Sequence, residues 1–131
     1  MPGSRALVLF GPTLRVQIGF DMDFRPNAGV QRALVDTGAT DSCIDSALAM
    51  DLRLPIVGRQ RVAGVHGVDE VNMHLARIHV PDLREMLFGR FAGVHLAAGG
   101  QPHAALLGRT FLQHFTMSYD GRQGTVTLNN D

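Results

Sequence analysis

Residues 33–40 read Ala33-Leu34-Val35-Asp36-Thr37-Gly38-Ala39-Thr40, an apolar run leading straight into Asp-Thr-Gly. The run has the composition of a buried strand, and the glycine frees the backbone for a tight turn. Asp36 therefore stands on a turn just past a buried element. The triplet occurs once among the 131 residues. One carboxylate of this kind is encoded, with no second copy to face it.

The flanking sequence is mostly strand-like. Val30 to Val35 feeds the turn and is entered through Asn27-Ala28-Gly29. Upstream, Leu14, Val16, Ile18, Phe20 and Met22 alternate with polar residues and Gly19, which is the period of a half-buried strand. Downstream, Ile44, Leu48 and Leu52 recur every four residues, predicting a packing helix with Asp41, Ser42 or Asp45 as its N-cap and Pro55 at its end. Arg59 to Ala63 and Val68 to Leu75 read as a hairpin joined through Gly64-Val65-His66-Gly67. Its second strand changes phase between Leu75 and Ala76, which predicts a bulge or bend. A strand over Phe91 to Leu96, a Gly99-Gly100 loop, a short helical turn and a closing hairpin through Asp120-Gly121 and Gly124 complete the chain.

Composition narrows the chemistry. The length suits one domain over 1–131, able to bury roughly two-thirds of its unfolded surface. Charge is balanced at twelve basic against twelve acidic residues, so no basic stripe points to nucleic acid or an anionic membrane. The apolar run Ala6 to Phe10 is too short for a signal-peptide core or a membrane span, and a cytoplasmic location is the expectation. All twelve basic residues are Arg, which excludes Schiff-base, Ser-Lys and phosphate-loop lysine chemistry. The lone Cys43 forms no intrachain disulfide; near a helix start its thiol would be somewhat acidic, and as a small filler it would be buried and inert. Of the six histidines, His74 and His79 fall on opposite faces of one strand, and His95, His103 and His114 in three separate elements. No metal and no cofactor is expected.

A second constellation lies at Ala105-Leu106-Leu107-Gly108-Arg109. An apolar strand ending in Gly lets its backbone pass close beside the Asp36 turn. The order of the parts is specific: Asp-Thr-Gly-Ala, a helix, a Gly-tipped hairpin, Leu-Leu-Gly-Arg-Thr-Phe-Leu, then the Tyr119-Asp120-Gly121 hairpin. From about Leu14 to Leu128 this pattern resembles the single-domain, retroviral-type (retropepsin-like) aspartic proteases and their cellular relatives.

The resemblance implies a mostly β fold, a retropepsin-like acid-protease half-barrel with one or two short helices and a flap hairpin. It implies a homodimer acting on peptide or protein substrates, with an active site on the two-fold axis. Asp36 matches the catalytic aspartate, and Thr37 and Gly38 complete its turn, the Thr hydroxyl bonding across to the partner loop. Ala39, Thr40, Leu107 and the flap residues Gly64, Val65, His66 and Gly67 match substrate-binding positions. Gly108 and Arg109 match the Gly-Arg pair that braces the structure near the site. Retroviral enzymes often place an acid four residues after the aspartate to hold that Arg. Here the position is Thr40, with Asp41 one step further, so the partner of Arg109 is open.

The chemistry so implied is hydrolysis by water. Two neighbouring carboxylates cannot both ionise cheaply, so one proton is shared between them. The charged one takes a proton from water and the other bonds the scissile carbonyl. Ala39 offers no hydroxyl to the carboxylate, which favours a mildly acidic to near-neutral optimum. The alternatives are a catalytically weak or inactive dimerisation or peptide-binding module on the same scaffold and, more remotely, a histidine-dependent metal protein.

Overall fold

A computed structural model of the chain describes residues 2–20, 29–64 and 67–130. Its strands are β1 (Thr13–Gly19), β2 (Gln31–Val35), β3 (Cys43–Asp45), β4 (Ile56–Gly64), β5 (Gly67–Val80), β6 (Glu85–Val94), β7 (Ala105–Leu107), β8 (Thr116–Asp120) and β9 (Thr125–Asn129). Among the described residues three short α-helices accompany them, α1 (Pro2–Phe10), α2 (Ser46–Asp51) and α3 (Arg109–Leu112), with a 3-10 turn over Pro81–Leu83. Among the described residues the first seven strands form one sheet in the order β1-β2-β7-β3-β6-β5-β4. Because β1 also pairs with β5, that sheet curls back on itself and leaves β4 as an outer arm. The last two strands form a separate hairpin.

The alternation of apolar residues accounts for the closure. Val16 and Ile18 of β1, Val35 of β2, Ile44 of β3, Ile78 of β5 and Leu107 of β7 all turn inward and are buried. Phe111 of α3 and Leu128 of β9 join the same core. Burial of each large aliphatic side chain contributes about 2 kcal/mol, so no short strand here holds its place alone.

Several sequence expectations shift by a few residues. The predicted helix from Ile44 begins instead at Ser46, because Ile44 is held as a strand between Gly93 of β6 and Ala105 of β7. Of the three candidate caps, Asp45 is the one used: its Oδ2 accepts from Leu48 N at 3.1 Å. Its Oδ1 also accepts from Leu96 N and Ala97 N, tying the helix to the loop after β6. The phase change in β5 falls between Met73 and His74, both buried, opposite a register shift at Ile56/Gly58 of β4. His74 is buried with its Nδ1 on the Leu54 carbonyl at 3.2 Å, while His79 meets Gln17 on the other face.

Two elements depart from the sequence pattern. The stretch around Ala6 to Phe10 is helical, and α1 stops at Gly11, whose φ of +71° suits a left-handed cap. β6 begins at Glu85 rather than near Phe91, because Met86 and Phe88 stay exposed and hide the alternation. The turn Asn27-Ala28-Gly29 and the flap residues Val65 and His66 fall wholly or partly outside the described residues. No helix among the described residues is long and apolar enough to cross a membrane.

Candidate active site

β2 and β7 run parallel, with Val35 beside Leu107, so both chains leave the sheet at the same end. Each strand gives way to a sharp turn, and the two turns interlock. Asp36 N donates to the Leu107 carbonyl at 2.9 Å, Arg109 N to the Ala39 carbonyl at 2.9 Å, and Thr110 N to the Thr40 carbonyl at 3.0 Å. Ser42, buried at the entry to β3, accepts from Gly108 N through its hydroxyl at 3.0 Å.

Asp36 is half-buried on this braced turn. Its Oδ1 accepts from Gly38 N at 2.9 Å, and Ala39 N returns to the Asp36 carbonyl at 3.2 Å. The Asp-Thr-Gly triplet thus folds around its own carboxylate. Among the described residues no protein donor bonds the second oxygen of Asp36. Thr37 and Gly38 are exposed beside it.

Arg109 finds its partners without an acid. One guanidinium nitrogen donates to the Thr37 carbonyl at 2.7 Å and another to the Thr40 hydroxyl at 2.9 Å. The open question left by Thr40 is thereby answered: its hydroxyl stands in for the carboxylate, and Asp41 is not used. Gly108 leaves no room for a side chain, since a Cβ would lie 2.7 Å from Asp41 O and 2.9 Å from Ala39 O.

Other expected site residues separate. Leu107 is wholly buried, so its expected contact with substrate is corrected: it serves the site through its carbonyl, not its side chain. Gly64 and Gly67 face each other where β4 and β5 meet, Gly67 with φ of +114°, and the outer half of that hairpin carries exposed residues. Ser42 is the functional neighbour that sequence reasoning misses, since its position suggests only a helix cap. Its bond to Gly108 spans 66 residues, and nothing local announces it. Among the described residues no three His, Cys, Asp or Glu side chains stand close enough to hold a metal ion.

Cys43 lies in β3 between Ala92 and Leu106. Burial, opposed by a hydrogen bond from the Leu106 backbone and reinforced by the Asp36 charge, pushes its thiol from an ordinary 9.0 up to about 11. The raised value favours the filler reading over the acidic thiol, although Cys43 is only half-buried and borders the groove beside the Asp36 turn. A pKa two units higher leaves on the order of a hundredfold less thiolate at pH ~8. Native protein will accordingly react with iodoacetamide far more slowly than urea-unfolded protein, measured by mass shift over time. The raised folded-state value also means that this group's contribution to stability is intact below about pH 9 and is lost as pH rises through about 11.

The comparisons agree with this architecture. A family model described as "gag-polyprotein putative aspartyl protease" matches residues 23–114. No curated protein matches the chain. Among solved structures, simian foamy virus (mac) protease superposes with a TM-score of 0.51 at 17% identity, covering 77% of this chain and 91% of its own. EIAV protease, solved with the inhibitor HBY-793, gives 0.52 at 23% identity, covering 78% and 85%. The retroviral protease-like domain of Ddi1 from Leishmania major gives 0.50 at 17% identity, covering 92% and 90%. On the matched span and on a fold shared with these proteins, the chain belongs to the gag-polyprotein aspartyl protease family and is retropepsin-like in structure.

Proposed function

We propose that two copies of the chain form a homodimer that hydrolyses peptide bonds, with one Asp36 contributed by each subunit. The observation that carries this reading is Asp36 itself. It is held on a turn braced by Leu107, Gly108 and Arg109, with one oxygen bonded to Gly38 N and no protein donor on the other among the described residues. A lone carboxylate in this setting is half of an acid–base pair. In the dimer the charged Asp36 takes a proton from a water held between the pair, and the water oxygen bonds to the scissile carbon. The partner's Asp36 gives its proton to the carbonyl oxygen. Collapse of the resulting diol returns a proton to the amide nitrogen and breaks the C–N bond, so no covalent enzyme intermediate forms.

The hairpin of β4 and β5 is proposed as the flap over a peptide bound as an extended strand. Since Ala39 gives the carboxylate no hydroxyl bond, activity should peak at mildly acidic to near-neutral pH. A profile peaking near about pH 2 contradicts that assignment.

Dilution tests the proposal. Endoproteolysis of an unfolded polypeptide mixture, expressed per chain, should fall as the protein is diluted through the monomer–dimer transition seen by sedimentation. Cleavage by a species that sediments only as a monomer overturns it. Peptide retention without cleavage by the dimer would assign the scaffold to the binding-module alternative.

A further inference from the structure

Ala6 to Phe10 are five apolar residues in succession at the carboxyl end of α1. A helix turns once in about 3.6 residues, so this end is apolar on every side, the pattern of a helix packed all round. The protomer covers one side only. Leu7 is 7% exposed, whereas Val8, Leu9 and Phe10 are 81%, 60% and 43% exposed. These side chains do not hang on a loose end. The buried His103 donates from Nε2 to the Phe10 carbonyl at 2.8 Å, and Gly11 N donates to the Leu7 carbonyl at 2.9 Å. The helix is held with its apolar side outward.

Its position decides what meets that side. Pro12, just beyond α1, accepts through its carbonyl from Val35 N at 2.8 Å, and Val35 is the residue before Asp36. α1 therefore ends beside the end of β2 from which the Asp36 turn emerges. The β8–β9 hairpin links the two. Near its turn, Gly124 and Val126 border a hollow of about 160 Å³ together with Ala6, Leu7 and Phe10. At its other end, Phe115 and Asn130 border the same groove as Gly38 to Asp41. Tyr119 is opposite Val126, hence on the same face of the hairpin, and is 54% exposed. Among the described residues this hairpin pairs with no other strand.

One end of the protomer thus carries both a carboxylate that lacks its twin and an apolar surface that lacks a cover. A symmetric pair supplies both. The two-fold operation that brings a second Asp36 to the first also brings a second α1 and hairpin to that end. We propose that Val8, Leu9, Phe10 and Tyr119 form the subunit seam of the homodimer, each patch set against its copy. This inference rests on the homodimer proposed above and adds where the two chains meet. Assembly of the paired aspartates then depends on side chains outside the site itself.

Sedimentation of Val8→Lys and Leu9→Lys protein tests the seam. Both side chains are exposed in the protomer and a cation suits the carboxyl end of a helix, so melting of the monomer should be unchanged. Each dimer would carry the new charge twice, and the concentration at the monomer–dimer midpoint should rise at least about thirtyfold. Met50→Lys, at a side chain 56% exposed on α2, should leave that midpoint within about twofold. In the wild type, dimerisation should slow amide exchange over residues 5–10 at least about tenfold. Cleavage per chain by Val8→Lys should fall with the dimer and return once concentration restores it, which a catalytic role would not allow. The two readings fail separately. A wild-type dimer that Val8→Lys and Leu9→Lys leave equally tight, or whose formation leaves residues 5–10 unprotected, overturns the seam, assigns the α1 surface to another occupant and leaves the paired aspartates standing. A dimer that these substitutions break but that never cleaves keeps the seam and removes the protease. A wild type that stays monomeric at every concentration overturns both.

Discussion

If two Asp36 carboxylates carry the proposed hydrolysis, Asp36→Asn should lower it by at least about a thousandfold while the protomer stays folded. The expected loss follows from the proposed division of labour, in which one carboxylate must accept a proton and its twin must hold one. An amide does neither. The fold is spared because the bond that organises the turn, Gly38 N to Oδ1 at 2.9 Å, has an oxygen acceptor in either residue. The bonds from Asp36 N to Leu107 O and from Ala39 N to Asp36 O involve only backbone. Melting temperature should therefore move by no more than about 2 °C.

Mixing makes the prediction stricter. Equal amounts of wild-type and Asp36→Asn chains, allowed to exchange, leave about a quarter of the dimers with two native aspartates. Activity should fall to about that fraction if each site needs both chains. Half the activity remaining would mean that each chain cleaves by itself, and the paired-aspartate mechanism would be wrong.

The core of this site is legible in the sequence because its parts are local. A strand, an Asp-Thr-Gly turn and a glycine-ended strand each announce themselves within about six residues. Asp36, Gly108 and Arg109 can be singled out for that reason. The contacts that join them are not local. The partners of Arg109, at Thr37 and Thr40, depend on how two distant turns dock, and a carbonyl with a hydroxyl does there the work expected of an acid. Ser42 is hidden for the same reason, its hydroxyl being indistinguishable in sequence from a helix cap. Ile44 misleads more simply. Its spacing to Leu48 and Leu52 fits a helix, but a place between β6 and β7 buries it completely, and that burial outweighs the local pattern. β6 is longer than its pattern suggests because both of its faces carry apolar residues, the exposed Phe88 and Met86 among them.

Gly108→Ala should be strongly damaging for a single added methyl. Gly108 has φ of −89° and ψ of −169°, extended backbone open to any residue, so conformational strain is not the cause. Space is. The added Cβ would sit 2.7 Å from Asp41 O, 2.8 Å from Asp41 C and 2.9 Å from Ala39 O, all of them backbone atoms that no rotamer change can move aside. Relief requires the 39–41 segment and the start of α3 to separate. That separation stretches the bonds Arg109 N to Ala39 O, Thr110 N to Thr40 O and Gly108 N to Ser42 Oγ together. The expected cost is about 3 kcal/mol, read as a fall in melting temperature of roughly 10 °C for a chain of this size. Activity should fall further than stability, because the same displacement carries the Asp36 turn away from its braced position. Gly89→Ala is the matched comparison: its Cβ meets nothing within 4 Å, so the same methyl should change stability by less than about 0.5 kcal/mol. If the two variants melt alike, the close passage of β7 beside the Asp36 turn is not a feature of the folded protein, and the bracing of the carboxylate goes with it.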